Sequence, residues 1–191
     1  MGAIRKPPLV KLIIGILSGN AEQFDFIRPL LAEKFGREEE TLEPFPFTFT
    51  NYYKEDLGDS PWRSFVSYET LINREEMVDI KLWTNDLELK IAKQNGTENN
   101  RPINLDPGYM ALGQFFLATT KDQRQRVYIR DGIFVEPTLY FQDGHFHPFD
   151  WTYRDYQSEE YISYLEKVRA KFAFQRSFGR PYRERLTNKK A

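Results

Sequence analysis

Between Arg101 and Asp150 the chain sets Asn104, Asp106, Tyr109, Thr119, Thr120, Lys121, Arg126, Asp131 and Glu136 among runs of β-forming residues. Side chains at strand ends are held by a rigid sheet yet stay reachable, which suits a binding site. Thr119, Thr120, Lys121 and an arginine can hold a phosphate or a carboxylate. Asp106 and Glu136 can hold Mg2+ or act as a general base. The same residues have a plainer use: Asp106-Pro107-Gly108 and Asp131-Gly132 as turns chosen for backbone geometry, and Thr119 and Thr120 as strand formers.

His145 and His147 are the chain's two histidines. At i and i+2 of one strand their side chains share a face, so they can hold Zn2+ or another transition metal if Asp143 or Asp150 supplies a third ligand. The plainer reading is a pair of surface residues on a hairpin. Ser18-Gly19-Asn20 opens a helix, where free N–H groups favour anions and also serve as an ordinary cap. A Ser-His-Asp triad has no support, because GxSxG is absent and both histidines lie in one cluster.

The elements that must position these residues follow from periodicity. Residues 10–17 form a nearly unbroken branched apolar run, the pattern of a central strand buried on both faces. Phe24, Ile27, Leu31 and Phe35 recur on one helical face, Gly36 stops that helix, and Pro29 predicts a kink or a late start. Phe45, Phe47 and Phe49 alternate as in a second strand, with its prolines suggesting an edge. Trp62, Phe65, Val66 and Tyr68 suggest a third. Asn73 with Glu76 makes a capping box for a helix whose apolar face is Met77, Ile80, Trp83, Leu87 and Ile91. Residues 103–105 are strand-like, and residues 109–120, whose pattern fits strand or helix, are favoured as strand by Phe115, Phe116, Thr119 and Thr120, so this stretch supplies a further strand. Strand, helix, strand, strand, helix, strand is the split βαββαβ order of an α+β, ferredoxin-like core. Asp131-Gly132 and Asp143-Gly144 are hairpin turns, predicting a three-stranded β-meander of residues 127–130, 133–141 and 145–149, with Pro137 forcing a bulge or an unpaired position. Ser158 caps a final helix that ends near Gly179.

The 191 residues, 40% hydrophobic and 16% aromatic, suit a single globular domain. Absence of cysteine excludes disulfides and thiolate chemistry and fits a cytoplasmic address. The apolar run after Arg5 and Lys6 is short and interrupted by Lys11, unlike a signal peptide, and no stretch is long enough to cross a membrane. The net charge of -1 hides an asymmetry: from Glu166 onward nine Lys/Arg face two Asp/Glu, so the body is acidic and the end basic. A basic tail, flexible from about residue 180 to 191, can dock RNA or an acidic protein. The sheet aromatics are a weaker RNA platform on so acidic a body.

The strings KLIIGIL, EPFPFTFTNYY, NLDPGY, LATTKD, DGIFVE and FDWTYRDY, in this order, resemble an uncharacterised prokaryotic family, domain of unknown function forty-four sixteen. The resemblance implies no established activity, though some members carry the label of GTP-binding protein. A conventional GTPase is not supported: GxxxxGK[ST] is absent, and Thr120-Lys121-Asp122 lacks the residue that separates Lys from Asp in a guanine-reading loop. The expectation is therefore a small anionic ligand, a nucleotide or phosphorylated metabolite, bound by Asn104, Asp106, Tyr109, Thr119, Thr120, Lys121, Asp131 and Glu136. The alternative is a non-catalytic module acting through its basic tail.

Overall fold

Eight strands form one antiparallel sheet, and the computed structural model describes residues 2–50, 52–96 and 101–179. In chain order these are β1 (Val10–Ser18), α1 (Gln23–Phe35), β2 (Glu38–Pro46), the short α2 (Lys54–Leu57), β3 (Trp62–Ile72), α3 (Met77–Gln94), β4 (Ile103–Ala111), β5 (Gln114–Thr119), β6 (Val127–Arg130), β7 (Ile133–Gln142), β8 (His145–Pro148) and α4 (Glu159–Phe178). Two 3-10 turns, Arg74–Glu76 and Arg154–Gln157, lead into α3 and α4. The strand order is β2-β3-β1-β4-β5-β7-β6, with β8 also on β7. The expected flexible tail, residues 180–191, lies outside the described residues.

β1 is central because both its faces are apolar. Leu12, Ile14 and Ile16 meet Phe24, Ile27 and Leu31 of α1 and Met77, Ile80 and Ile91 of α3 on one side. Ile13 points the other way, into the core that Tyr161, Tyr164, Leu165, Val168 and Phe172 of α4 complete. The sheet is thus covered by two helices on one face and by α4 on the other. Each large apolar side chain buried in these layers contributes about 1.5–3 kcal/mol.

Several expectations are corrected. β2 begins at Glu38 and ends at Pro46, so Phe47 and Phe49 lie beyond it, and Phe47 packs with Leu17 and Leu57. Three consecutive glutamates enter the sheet because each meets a cation: Glu38 meets Arg28, Glu39 meets Lys11 and Glu40 meets Lys171. Asp106-Pro107-Gly108 is no turn; it continues β4 through Ala111, and the hairpin falls at residues 112–113. Pro29 lies inside α1, which starts at Gln23. Both Asp-Gly turns form, with Asp131 and Asp143 at φ 52° and 50°. Their three strands do not follow one another across the sheet as a meander, however. β5 takes one edge of β7 along its length, so β6 and β8 share the other, β6 pairing with its first residues and β8 with its last. At Pro137 the β5 register shifts, leaving Thr138 as the extra residue.

Lys11 and Glu39 are almost fully buried and lie 2.8 Å apart, and Lys11 Nζ also donates to the Tyr68 carbonyl and to Gln175 Oε1 of α4. Burial lowers the Lys11 pKa, while Glu39 pulls it back. Lys11→Met should cost about 3–5 kcal/mol in urea unfolding by stranding the Glu39 charge, and Lys11→Met/Glu39→Leu should recover much of it. Equal losses in both variants would show that the pair is not what matters.

Candidate functional site

Pairing between β4 and β5 covers only Gly108 to Ala111 of β4, so the first half of that strand has no neighbour on this side. A cavity of about 590 Å3 occupies the gap. The exposed β4 edge is closed by side chains from α3: the Leu105 N–H donates to Glu88 Oε1 at 2.6 Å, and Lys81 Nζ donates to the Leu105 carbonyl at 2.9 Å. Backbone groups alternate along a strand, so Pro107 faces the same open edge as Leu105 and its missing N–H forfeits no ladder bond. The two strands close at Gly108, where a Cβ would meet the Phe116 carbonyl oxygen at 2.3 Å. Burial raises the Glu88 pKa, opposed by Lys81, the Leu105 N–H and Arg101, whose Nη1 lies 3.0 Å from Glu88 Oε2.

The opposite wall is built on Arg63. Its guanidinium donates from Nη1 to Asp106 Oδ2 at 2.9 Å and from Nε to the Tyr161 hydroxyl at 3.1 Å, while Nη2 lies 3.4 Å from Asp155 Oδ2. The rings of Phe65 and Phe47 lie 5.3 and 5.4 Å away. Burial works against its charge, and Tyr161, Asp106, Tyr156 and Asp155 more than offset this, so Arg63 stays a cation. To reach Asp106 it must cross β1, and Gly15, which pairs with both Phe65 and Asp106, leaves the room. A Cβ there would sit 2.9 Å from Phe65 and 3.1 Å from Arg63 Nη1.

The two carboxylates that share Arg63 are pushed apart. Burial would raise Asp106, but Arg63 and Lys81 overcome it and hold the carboxyl below its ordinary value of 3.8. Asp155 is raised by burial, which Arg63 only partly relieves. A third carboxylate, Glu136, receives Arg126 Nε at 2.8 Å and Gln125 Nε2 at 3.0 Å. At the mouth Lys121 Nζ donates to the Tyr52 hydroxyl at 2.8 Å, and Arg126 Nη2 to that of Tyr153 at 3.2 Å.

Of the residues expected to form a site, Asn104, Asp106, Thr119, Thr120, Lys121 and Glu136 line this cavity. Tyr109 and Asp131 stand apart from it. Tyr109 projects from the other face of β4 and stacks on Phe116 at 4.8 Å, and Asp131 sits in the β6–β7 turn paired with Arg130. His145 meets Glu166 at 3.2 Å, and His147 Nε2 meets the Gln142 carbonyl at 3.1 Å. Among the described residues no three His, Asp or Glu side chains converge as they would on a metal ion. Ser18 Oγ donates to Gln23 Oε1, and Asn20 Oδ1 accepts from the Glu22 N–H, so both serve the start of α1.

Residues 8–172 match a family described as Domain of unknown function (DUF4416). The chain belongs to this family. Comparison with curated proteins finds no match, and neither does comparison with solved structures. The family's description names no activity, so the site rests on its own geometry. Arg63, Lys81, Glu88 and Asp155 escaped the motif reading. Two signals could have found the first three: a lone glycine in the branched run of β1, which marks a close approach, and the polar stripe Lys81, Thr84, Glu88 at helical spacing on α3, buried in the fold.

Gly15→Ala should lower the unfolding free energy by about 1–3 kcal/mol by crowding Phe65 and Arg63; unchanged stability in chemical denaturation would mean that Arg63 needs no such room. For Asp106, a folded-state pKa below the unfolded one gives stability that is present above the unfolded value and lost as pH falls through the folded one. The stability advantage of the wild type over Asp106→Asn should therefore be full near neutrality and shrink on acidification below the ordinary carboxylate range. An advantage that grows towards low pH would reverse this assignment.

Proposed function

We propose that the protein binds a small anionic ligand, a nucleotide or a phosphorylated metabolite, in the cavity where β4 and β5 part. The carrying observation is an excess of unused donors. Glu88, Asp106, Glu136 and Asp155 each have an arginine, whereas neither Lys81 nor Lys121 is ion-paired among the described residues. Lys81, 7% exposed, uses one of its three N–H groups, on a backbone carbonyl. Among the described residues, Asn104 Nδ2 and the Tyr156 hydroxyl are buried without a well-formed hydrogen bond, and both residues line the same cavity. Buried donors left unsatisfied are costly, and an anionic ligand in this cavity would bring the acceptors they lack.

We read the first six major elements as the split βαββαβ, ferredoxin-like plan, a reading supported by the order β2-β3-β1-β4 and by α1 and α3 on one face. The remaining hairpins and α4 extend it, and β5, β7 and the 3-10 turn before α4 help to wall the cavity. No helix among the described residues is long and apolar enough to cross a membrane, and the absence of cysteine favours a cytoplasmic address. The charge asymmetry supports a second reading, a tail that docks RNA or an acidic protein. Within the fold, though, Arg169 and Lys171 are already engaged, by the Leu112 carbonyl and by Glu40.

Inorganic phosphate, nucleotides and phosphorylated metabolites, each with and without Mg2+, should be screened by thermal shift. A binder at a hundred times its Kd stabilises by about 2.7 kcal/mol and should raise Tm by several degrees. Lys121→Ala, at an exposed position, should keep the fold and reduce that rise. No shift with any compound, together with salt-sensitive RNA binding lost on deleting residues 180–191, would replace the cavity reading with the tail reading.

A further inference from the structure

Resting on the anion-binding reading, we propose that Asp106 and Asn104 together read a hydroxyl group of the ligand. The anion this cavity takes is then a sugar phosphate, either free or as the ribose phosphate of a nucleotide. Of the four carboxylates around the cavity, Asp106 is the one that opens into it. Its side chain is 24% exposed, against 1% for Glu88, 4% for Glu136 and 9% for Asp155. Oδ2 is engaged by Arg63, while Oδ1 accepts no hydrogen bond among the described residues. The Asn104 amide lies beside the Asp106 carboxylate and helps to hold its charge, but Nδ2 forms no well-aligned hydrogen bond among the described residues.

An ionised carboxylate only accepts hydrogen bonds. Beside donors waiting for an anion it would repel a ligand that is negative throughout. A ligand that pairs its anionic group with a donor turns that repulsion into a charge-assisted bond. Asn104 and Asp106 are two apart on β4, so their side chains share a face and set a donor without a well-formed bond next to a carboxylate open to the cavity. A hydroxyl is both acceptor and donor and answers the two together. An ammonium would satisfy Asp106 but leave Asn104 Nδ2 unpaired and bring a further cation towards Arg63 and Lys81. Carboxylates reading ribose hydroxyls beside a phosphate site occur on other folds. On this division of labour Lys81 and the Tyr156 hydroxyl hold the phosphate end.

Titration calorimetry on the full chain tests this with inorganic phosphate and four organic phosphates: glycerol 3-phosphate, ribose 5-phosphate, O-phosphoethanolamine and n-propyl phosphate. The two hydroxylated compounds should bind at least about tenfold more tightly than n-propyl phosphate, since a site built for a hydroxyl discriminates strongly against its absence. Asp106→Asn should erase that difference while leaving n-propyl phosphate binding as tight or tighter. If this variant does not fold, the wild-type ratio decides alone. Equal binding of all the phosphates would overturn the hydroxyl assignment and leave the anion reading standing. Tightest binding of O-phosphoethanolamine would overturn it in favour of an ammonium. Failure of every phosphate, inorganic phosphate included, would overturn the anion reading itself. Adenosine 5'-monophosphate separates the two sources: tighter binding than ribose 5-phosphate assigns the sugar phosphate to a nucleotide, and equal or weaker binding to a free metabolite.

Discussion

A guanidinium buried at the heart of the sheet is the constraint on which the site depends. Arg63 starts on β3, crosses β1 over Gly15, and joins Asp106 of β4, Asp155 of the 3-10 turn and Tyr161 of α4. Stripped of water and unpaired, such a charge would cost several kcal/mol, so each of these elements is held to the place where its acceptor is needed. The result is a rigid wall in which two carboxylates share one cation unequally. Asp106 keeps its charge and faces the cavity, while Asp155 is more deeply buried and more ready to hold a proton.

The facing wall solves a different problem with the same kind of residues. Where β5 leaves β4, the Leu105 N–H and carbonyl would be open polar groups inside the fold, and such groups are nearly always paired. Glu88 and Lys81 pair them, one as acceptor and one as donor. A glutamate and a lysine are larger than this task requires. Glu88 has a second oxygen, which takes Arg101, and Lys81 keeps donors that face the cavity. The edge of the sheet and the lining of the site are therefore built from the same atoms.

Local features were legible in the sequence because their causes act within a few residues. The Asn73–Glu76 box, the Asp-Gly turns, the shift at Pro137, the Ser158 cap and the left-handed Gly179 all formed where their residue types demand. Six of the eight residues expected at a site do line one cavity, because strand-end polar residues from β4 and β5 were bound to meet if those strands were neighbours. The Arg63 contacts span 43 and 92 positions and leave no local trace other than Gly15. Nor could local pattern show that Asp106-Pro107-Gly108 runs straight: three turn-forming residues stay extended because β1 pairs them throughout. The start of β2 at three glutamates has no local mark for the same reason, since the cations that permit them come from α1, β1 and α4.

The charge distribution decides how an anion would be held here. Outside its basic end the chain carries an excess of acid, so its long-range field does not draw anions in. At physiological salt that field fades within about 8 Å, whereas groups inside a cavity are screened far less. Recognition then falls to short-range chemistry at the split in the sheet. There every carboxylate but one is buried against an arginine, and the free capacity belongs to a lysine, an amide and a phenol. On the proposed reading, an acidic protein with such an interior would select by fit and hydrogen bonding and gain little from attraction at a distance, which would favour a small ligand with both a charge and neutral polar groups over a polyanion.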